Sequence, residues 1–408
     1  MKVPSISWIP YGRRVQGIGT VKPYTTTPLL ARRNSISTEV TQDKVVQELP
    51  IDMPRFYWKN KDGAILSEIG KVNFVKYSSD WSNAAWAKTN ITLDSGEVIA
   101  PNGKDTLSEV IPTTSSAQHY MQQIISTTVG VEYTFSIYVK GGESNKVELL
   151  LADNVSPYTD FARLYFDLDT LAATSPTTLS RVNVEEAGNG WYRISVTDVA
   201  TNASTILRII LPSSTGALNW AGNGVGGVYL WGAQLEIGGN ASSYIPTEAT
   251  TASRDSDYII GLYSKEIFKG NGSVLYDTSA FYDDTSSNYI SIGGYTTSDY
   301  IRMHLDVYNE TGYIDVSRDG VTATVDFDMA GGVRQKVLIV FVGATIELWV
   351  DGEYWSTTAF AAGAFDQMTY ITNRDSSNSL NNFNGHIHDI RVYNLELNDE
   401  EKKQVTTI

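Results

Sequence analysis

Histidines, carboxylates and aromatics are the residue types here with chemistry to offer. The histidines are His119, His304, His386 and His388. His386 and His388 alternate within a strand-like stretch, so they share one face. No third ligand stands at a recognised metal spacing, which makes a plain strand face the better reading than a metal pair. The sequence has no G-x-S-x-G elbow, no P-loop and no H-E-x-x-H. It has no cysteine either, which excludes disulfides, a thiolate nucleophile and a zinc finger. Glycoside hydrolysis needs two carboxylates a set distance apart across a cleft. The adjacent Asp283 and Asp284 lie among Ser, Thr and Asn and read as a solvated loop instead.

Sugar binding is the chemistry left. It needs an aromatic plate for the apolar face of a pyranose, flanked by polar groups for its hydroxyls. Nine Trp and twenty-four Tyr are enough that some must be exposed. Trp191 and Trp231 sit in strand patterns and are expected in a core. If Ile346, Leu348 and Val350 point inward, alternation turns Trp349 outward. Tyr354 and Trp355 follow the next turn, and Tyr289, Tyr295 and Tyr300 lie near Gly-rich turns. The candidate glycan-contact set is Trp349, Tyr354, Trp355, Tyr289, Tyr295, Asn373 and Arg374. Exposed aromatics suit a subunit interface equally well, and the sequence offers no ground to choose.

The elements that must position these residues are strands. At 408 residues the chain should hold two or three domains. With 42% hydrophobic and 19% charged residues it can bury cores. Abundant Ser, Thr, Asn, Gly and Tyr, with few Leu-rich amphipathic periods, predict an all-β protein. Tyr133, Phe135, Ile137 and Val139 alternate with polar residues, predicting a half-buried antiparallel strand that Gly141-Gly142 stops. Further strands are predicted at 191–196, 206–211, 272–276, 289–293, 300–307, 322–327, 337–342 and 345–350. Asp351-Gly352 is a hairpin-turn signal. Near the end, 383–398 reads FNGHIHDIRVYNLELN, a last strand leading to a helix capped by Asn398 with Asp399, Glu400 and Glu401 in its first turn.

Residues 1–70 read differently. Prolines recur at 4, 10, 23, 28, 50 and 54, and arginines pair at Arg13-Arg14 and Arg32-Arg33. Ten Lys/Arg against six Asp/Glu give this segment +4, so the remainder carries −19 of the total −15. An acidic body argues against nucleic acid as partner. The basic segment is expected to be a partly extended arm docking on an acidic protein surface, with Arg13, Arg14, Arg32 and Arg33 as attachment residues; such segments order on binding. The first residues lack the apolar run of a signal peptide, and no stretch approaches the ~20 apolar residues of a membrane span.

Two resemblances cover most of the chain. Ile346–Gly352 (IELWVDG) followed by Phe383–Asn398 resembles the closing motifs of laminin-G-like, concanavalin-A-type sandwiches, with His388 where an acidic residue is commoner. Pro54-Arg55-Phe56, Asn73–Trp86 (NFVKYSSDWSNAAW), Gly188–Ser195 (GNGWYRIS), Val228–Glu236 (VYLWGAQLE) and Ser243–Thr247 (SYIPT) resemble, in order, a module of bacteriophage tail and head-fibre proteins. The resemblance implies a jelly roll like those of carbohydrate-binding modules. The expected domains are therefore an attachment arm at 1–70, a carbohydrate-binding-module-like sandwich at 71–248 and a laminin-G-like sandwich at 249–408. Laminin-G-like rims sometimes hold Ca²⁺, which takes carboxylates and carbonyls; Asp283, Asp284 and Asp375 are the candidate ligands, with no cofactor required.

Together these imply a non-enzymatic bacteriophage virion protein, a tail or head fibre anchored by its N-terminus. Its sandwiches would bind host-surface polysaccharide or protein. The resemblance adds a homotrimer, with avidity from several copies. Localisation on the virion surface after assembly in the host cytoplasm is expected, without membrane insertion. The alternatives are a purely structural or capsid-decorating virion protein and, with least support, a glycan depolymerase.

Overall fold

The computed structural model describes residues 29–59, 62–175, 180–262, 271–281, 288–293, 299–307, 309–360, 370–373, 383–393 and 397–408. The described residues form antiparallel sheets and one helix. They divide into two compact units. One comprises Ile36–Leu49 and Lys71–Arg254; the other comprises Pro50–Gly70, Asp255–Ile408 and the described part of Met1–Ser35.

The first unit is a jelly-roll sandwich of two six-stranded sheets. The central strand of one is Glu132–Gly141, flanked by Trp191–Val199 and Val228–Ile237. The other is built around Lys146–Asp153 and Ser204–Ile210. Phe135, Ile137, Val139, Ile194 and Leu235 meet Leu149, Leu164, Phe166 and Leu207 in the core between them. Glu132–Gly141 was predicted half-buried and is buried on both faces, since Thr134, Ser136 and Tyr138 are covered too. The reason is a second apolar cluster on the outer face, where Tyr138 packs with Trp191, Trp231, Tyr244 and Val46.

Val46 arrives from far up the chain. Ser37–Val40 and Val46–Leu49 form a hairpin held by Val46 N donating to Pro101 O (2.9 Å) and Thr38 Oγ1 to Tyr244 O (2.6 Å). The unit closes with Ala252–Arg254 pairing with Lys71–Asn73, so it runs past the expected end at 248.

The second unit is a sandwich of two seven-stranded sheets. Its core joins Val274, Tyr276, Ile290, Ile301, Met303, Ile314, Phe327, Ile339, Leu348 and Ile387. One sheet runs, in spatial order, Leu29–Arg32, Tyr258–Leu262, Tyr370–Thr372, Asn288–Gly293, Tyr300–Asp306, Thr311–Arg318, Val321–Asp328. The other runs Glu353–Ala359, Thr345–Val350, Gln335–Val342, Gly272–Ala280, Gly385–Tyr393, Asp62–Ser67, Arg55–Lys59. Asp351 and Gly352 both take positive φ (49° and 91°), as a tight hairpin turn requires. The helix Asp399–Thr406 starts with the expected cap: Asn398 Oδ1 accepts from Glu401 N (3.0 Å) and Glu401 Oε2 from Asn398 N (2.9 Å).

The segment expected to be an arm is, from Leu29 on, part of both units. Leu29–Arg32 pairs with Tyr258–Leu262, and Asp62–Ser67 extends the sheet beside Gly385–Tyr393. Buried charge fastens it. Arg55 is fully enclosed and pairs with both Glu68 and Asp257. Arg33 Nη1 reaches the other oxygen of Asp257 at 2.8 Å. Two guanidiniums against two carboxylates leave none of these buried charges uncompensated. Arg33, expected to be an attachment residue, is therefore an interior structural one, because its charge is consumed by Asp257. Arg32 is exposed, and Arg13 and Arg14 lie outside the described residues.

Candidate functional site

Strand alternation in the second unit sends Ile290, Ile292, Ile301, Met303, Leu305, Ile314, Val316 and Val325 into the core. Their neighbours must therefore line the opposite face of the sheet. Register brings Tyr289 opposite His304 and His304 opposite Tyr313. The rings touch in sequence, with centroids 4.5 Å apart for Tyr289–His304 and 4.3 Å for His304–Tyr313. Strands lie about 4.8 Å apart, so these three rings form a strip about 10 Å long across the sheet.

One register step along, Arg302 sits between Tyr289 of the strip and one further ring, 5.7 Å from the Tyr289 centroid and 4.4 Å from that of Tyr300. Both contacts are within cation–π range. The three tyrosines and Arg302 are half-buried, whereas His304 between them is buried. Tyr289 and Tyr313 hydroxyls approach to 3.4 Å. Burial, then the Tyr289 hydroxyl, push the Tyr313 phenol well above its ordinary range, so it stays a neutral hydroxyl. Asp315, bonded to Thr324 Oγ1 at 2.6 Å, and Asp306, Asp326 and Asp328 lie on the same face. Among the described residues of these three strands the face sets four carboxylates against the one guanidinium of Arg302.

This arrangement suits a flat, uncharged, polyhydroxylated ligand. Half-exposed phenol rings offer apolar surface to ring C–H groups, while their hydroxyls, Arg302 and the carboxylates offer donors and acceptors. The surplus of negative charge disfavours an anionic one.

The sequence-based candidates fare unevenly. Tyr289 is in the strip. Trp349 does lie on the outer face of its sheet but is only 8% exposed. It packs with Leu275, Leu338, Tyr393 and Leu397, and Lys402 Nζ of the helix stands 5.5 Å from its ring. The helix covers the face that alternation assigned to it, so Trp349 is no plate. Tyr354 and Trp355 are exposed (53% and 41%) on an edge strand. Trp355 Nε1 donates to Asp326 O at 2.9 Å, while Tyr354 packs edge-on against Trp349. Asp326 is the residue paired with Tyr313 of the strip.

Asn373 is buried, its amide donating to Ser67 Oγ (2.8 Å) and Asp257 O (2.9 Å) and its oxygen accepting from Ile259 N (2.8 Å). It braces the backbone and is no ligand contact, because all these partners are interior. Tyr295, Arg374, Asp283, Asp284 and Asp375 lie outside the described residues. Sequence reasoning missed Arg302, His304 and Tyr313 as a group. Tyr313 stands on a strand, Thr311–Arg318, that was not predicted, and pairing across strands is invisible to periodicity within one.

No family model matches the sequence, and no curated protein matches it. Solved structures give low-identity likenesses. A putative carbohydrate binding protein from Bacteroides ovatus ATCC 8483 matches at 12% identity over 78% of this chain and 84% of that one, with a TM-score of 0.30. Mouse laminin alpha1 chain domains LG4-5 match at 12% identity over 72% of this chain and 93% of that one, with a TM-score of 0.25. A SAP-like pentraxin from Limulus polyphemus matches at 11% identity over 34% of this chain and 72% of that one, with a TM-score of 0.29.

Proposed function

We propose that this chain is a non-enzymatic glycan-binding protein whose second sandwich holds a neutral polysaccharide on the outer face of the sheet bearing Tyr289, Tyr300, Arg302, His304 and Tyr313. The observation that carries the reading is the three-ring strip with its half-exposed tyrosines. Its length of about 10 Å suits two consecutive sugar rings of an extended chain, and the acidic face selects against anionic ones.

Within this reading the chain belongs to a bacteriophage virion as a surface appendage, assembled in the host cytoplasm as a trimer. Support for that part comes from the ordered motifs of residues 54–247 and from the acidic body. No cofactor is required. The second reading, a structural or capsid-decorating module, draws on the same exposed aromatics as subunit contacts.

The test is binding of the full chain to bacterial cells and to extracted neutral and acidic surface polysaccharides, with and without EDTA, beside a Tyr289→Ala/Tyr313→Ala variant. Saturable binding to a neutral polysaccharide, weakened at least about tenfold in the variant, is expected. Binding that the variant retains in full would move the site elsewhere. A chain that binds no glycan but forms multimers would sustain the structural reading, and reducing ends released from polysaccharide would make it an enzyme. Loss of binding with EDTA would put Ca²⁺ in the site.

A further inference from the structure

His386 and His388 stand on the last strand, Gly385–Tyr393, on either side of Ile387, which belongs to the core. Alternation therefore turns both imidazoles to the outer face of the sheet, where each is half-buried. The sequence offers no third ligand beside them, but the neighbouring strand Gly272–Ala280 does. Ser279 is the residue paired with His386. Its Oγ stands 3.2 Å from His386 Nδ1 and 3.5 Å from His388 Nε2. The two strands also slip by one residue here. Asp277 pairs with Asp389 and Thr278 with Ile387, which leaves His388 as the extra residue of a bulge. Bulges re-aim side chains, and this one brings His388 to the same hydroxyl as His386.

Hydrogen bonding accounts well for only one of these contacts, since 3.5 Å lies at its outer limit. Both distances match another geometry. Bonds of about 2.0–2.1 Å to a tetrahedral ion set its ligand atoms about 3.3–3.4 Å apart. The observed 3.2 and 3.5 Å fall on either side of that edge. The two imidazole centroids are 6.2 Å apart. An ion bonded to both rings would hold them at about 5 Å, so one ring must close by about an ångström. His386 is fixed, with Tyr57 stacked on its ring at 3.9 Å and Phe281 edge-on at 4.7 Å. His388 is therefore the ring that closes.

Hard cations take oxygen ligands, whereas imidazole nitrogens select a borderline first-row ion. Among the described residues no third His, Cys, Asp or Glu joins the pair. Asp277 and Asp389, the only carboxylates on the two strands, are already bonded to Arg334 (2.7 Å) and Arg391 (2.6 Å). Those four charges cancel, so the strands present no surplus positive charge to a cation.

We propose that His386 Nδ1, His388 Nε2 and Ser279 Oγ form a site for a divalent transition-metal ion of the Zn²⁺ class, with water completing its shell. The ion ties the last strand to Gly272–Ala280 across the bulge. No residue of the aromatic strip takes part, so the proposal does not rest on the glycan reading.

The test is calorimetric titration of the metal-free full chain with Zn²⁺, beside thermal unfolding with and without the ion. Zn²⁺ should bind and raise the unfolding midpoint, because an ion held only by the folded state stabilises it by mass action. Excess Ca²⁺ should not displace it. His388→Gln should weaken Zn²⁺ by more than about tenfold, since even residues that merely support a metal ligand cost that much. His386→Gln should do the same and Ser279→Ala should cost less. Unfolding of each metal-free variant checks that it folds. With Cu²⁺ as a probe, electron paramagnetic resonance should show coupling to two imidazole nitrogens in the wild type and to one in either histidine variant. If Zn²⁺ does not bind, or if its affinity and the nitrogen coupling survive both histidine substitutions, the proposal is overturned.

Discussion

Two aromatic clusters in this molecule start from the same local plan and end differently. Each stands on the outer face of a sheet, on the alternate residues of strands whose other residues fill a core. Each has an arginine beside its rings: Arg193 lies 5.2 Å from the Tyr138 centroid, and Arg302 lies 4.4 Å from that of Tyr300. In the jelly roll, the segment after Val228–Ile237 and the hairpin of Ser37–Leu49 close over the rings. Arg193 is buried there, donating to Ser242 O (2.7 Å) and Ser136 Oγ (3.0 Å). In the second unit the tyrosines and Arg302 stay half-exposed. An outer-face aromatic is thus core or contact surface according to what chain lies over it, and its own strand does not decide.

The comparison breaks most directly by truncating one ring from each cluster. Trp231→Ala should cost about 3–5 kcal/mol of stability, as a buried aromatic deletion does, whereas Tyr313→Ala should cost much less and act on glycan binding. Urea unfolding of both variants checks this; equal losses would mean that the strip is as structural as the covered cluster.

The arginines give the next contrast. Arg193→Ala removes the donor to the buried Ser136 hydroxyl and one of two donors to Ser242 O, which keeps Gln234 Nε2 at 3.3 Å, and should cost about 1–3 kcal/mol. Arg302→Ala should lower polysaccharide affinity with a smaller change in the denaturation midpoint.

Tyr244 sharpens the contrast through pH. Burial, the largest cause, pushes its phenol up to about 12 from an ordinary value of 10.0. A raised folded value means that the stabilisation is fully present below about pH 10 and is lost as pH rises towards about 12. Over that window the loss is about 2–3 kcal/mol. Tyr244→Phe should be about 1 kcal/mol less stable than the wild type at neutral pH, for the lost bond to Ser78. Its deficit should shrink and reverse above pH 10. Paired alkaline unfolding curves that stay parallel would remove the buried phenol from the account.

The smallest effect expected is on salt. A neutral glycan on the strip should bind with nearly unchanged affinity between low and physiological ionic strength, and a steep decline in the polysaccharide assay would point to a charged ligand.

The strand pattern of this protein was legible in the sequence because period-two alternation is a local property. The strand containing Phe135, the Asp351-Gly352 turn and the Asn398 cap all follow from residues a few positions apart. Asn398 and Glu401 need only the geometry of one helical turn to satisfy each other. Even the outward direction of Trp349 was readable, as was the place of Trp191 and Trp231 in a core.

What covers an outward residue was not readable. Trp349 lost its exposure to a helix some fifty residues later in the chain, and Tyr138 lost its own in part to a hairpin about ninety residues earlier. Arg33 had the look of an attachment residue until Asp257, 224 positions away, neutralised it. The strip of Tyr289, His304 and Tyr313 likewise exists only because three strands align in register. Alternation is set by the geometry of adjacent peptide units, so the all-β character and the two faces of each strand follow from local residue order. Covering, charge pairing and cross-strand register join residues far apart along the chain, where loop closure and packing of the whole unit select the partner, so which aromatics became surface depends on the folded unit.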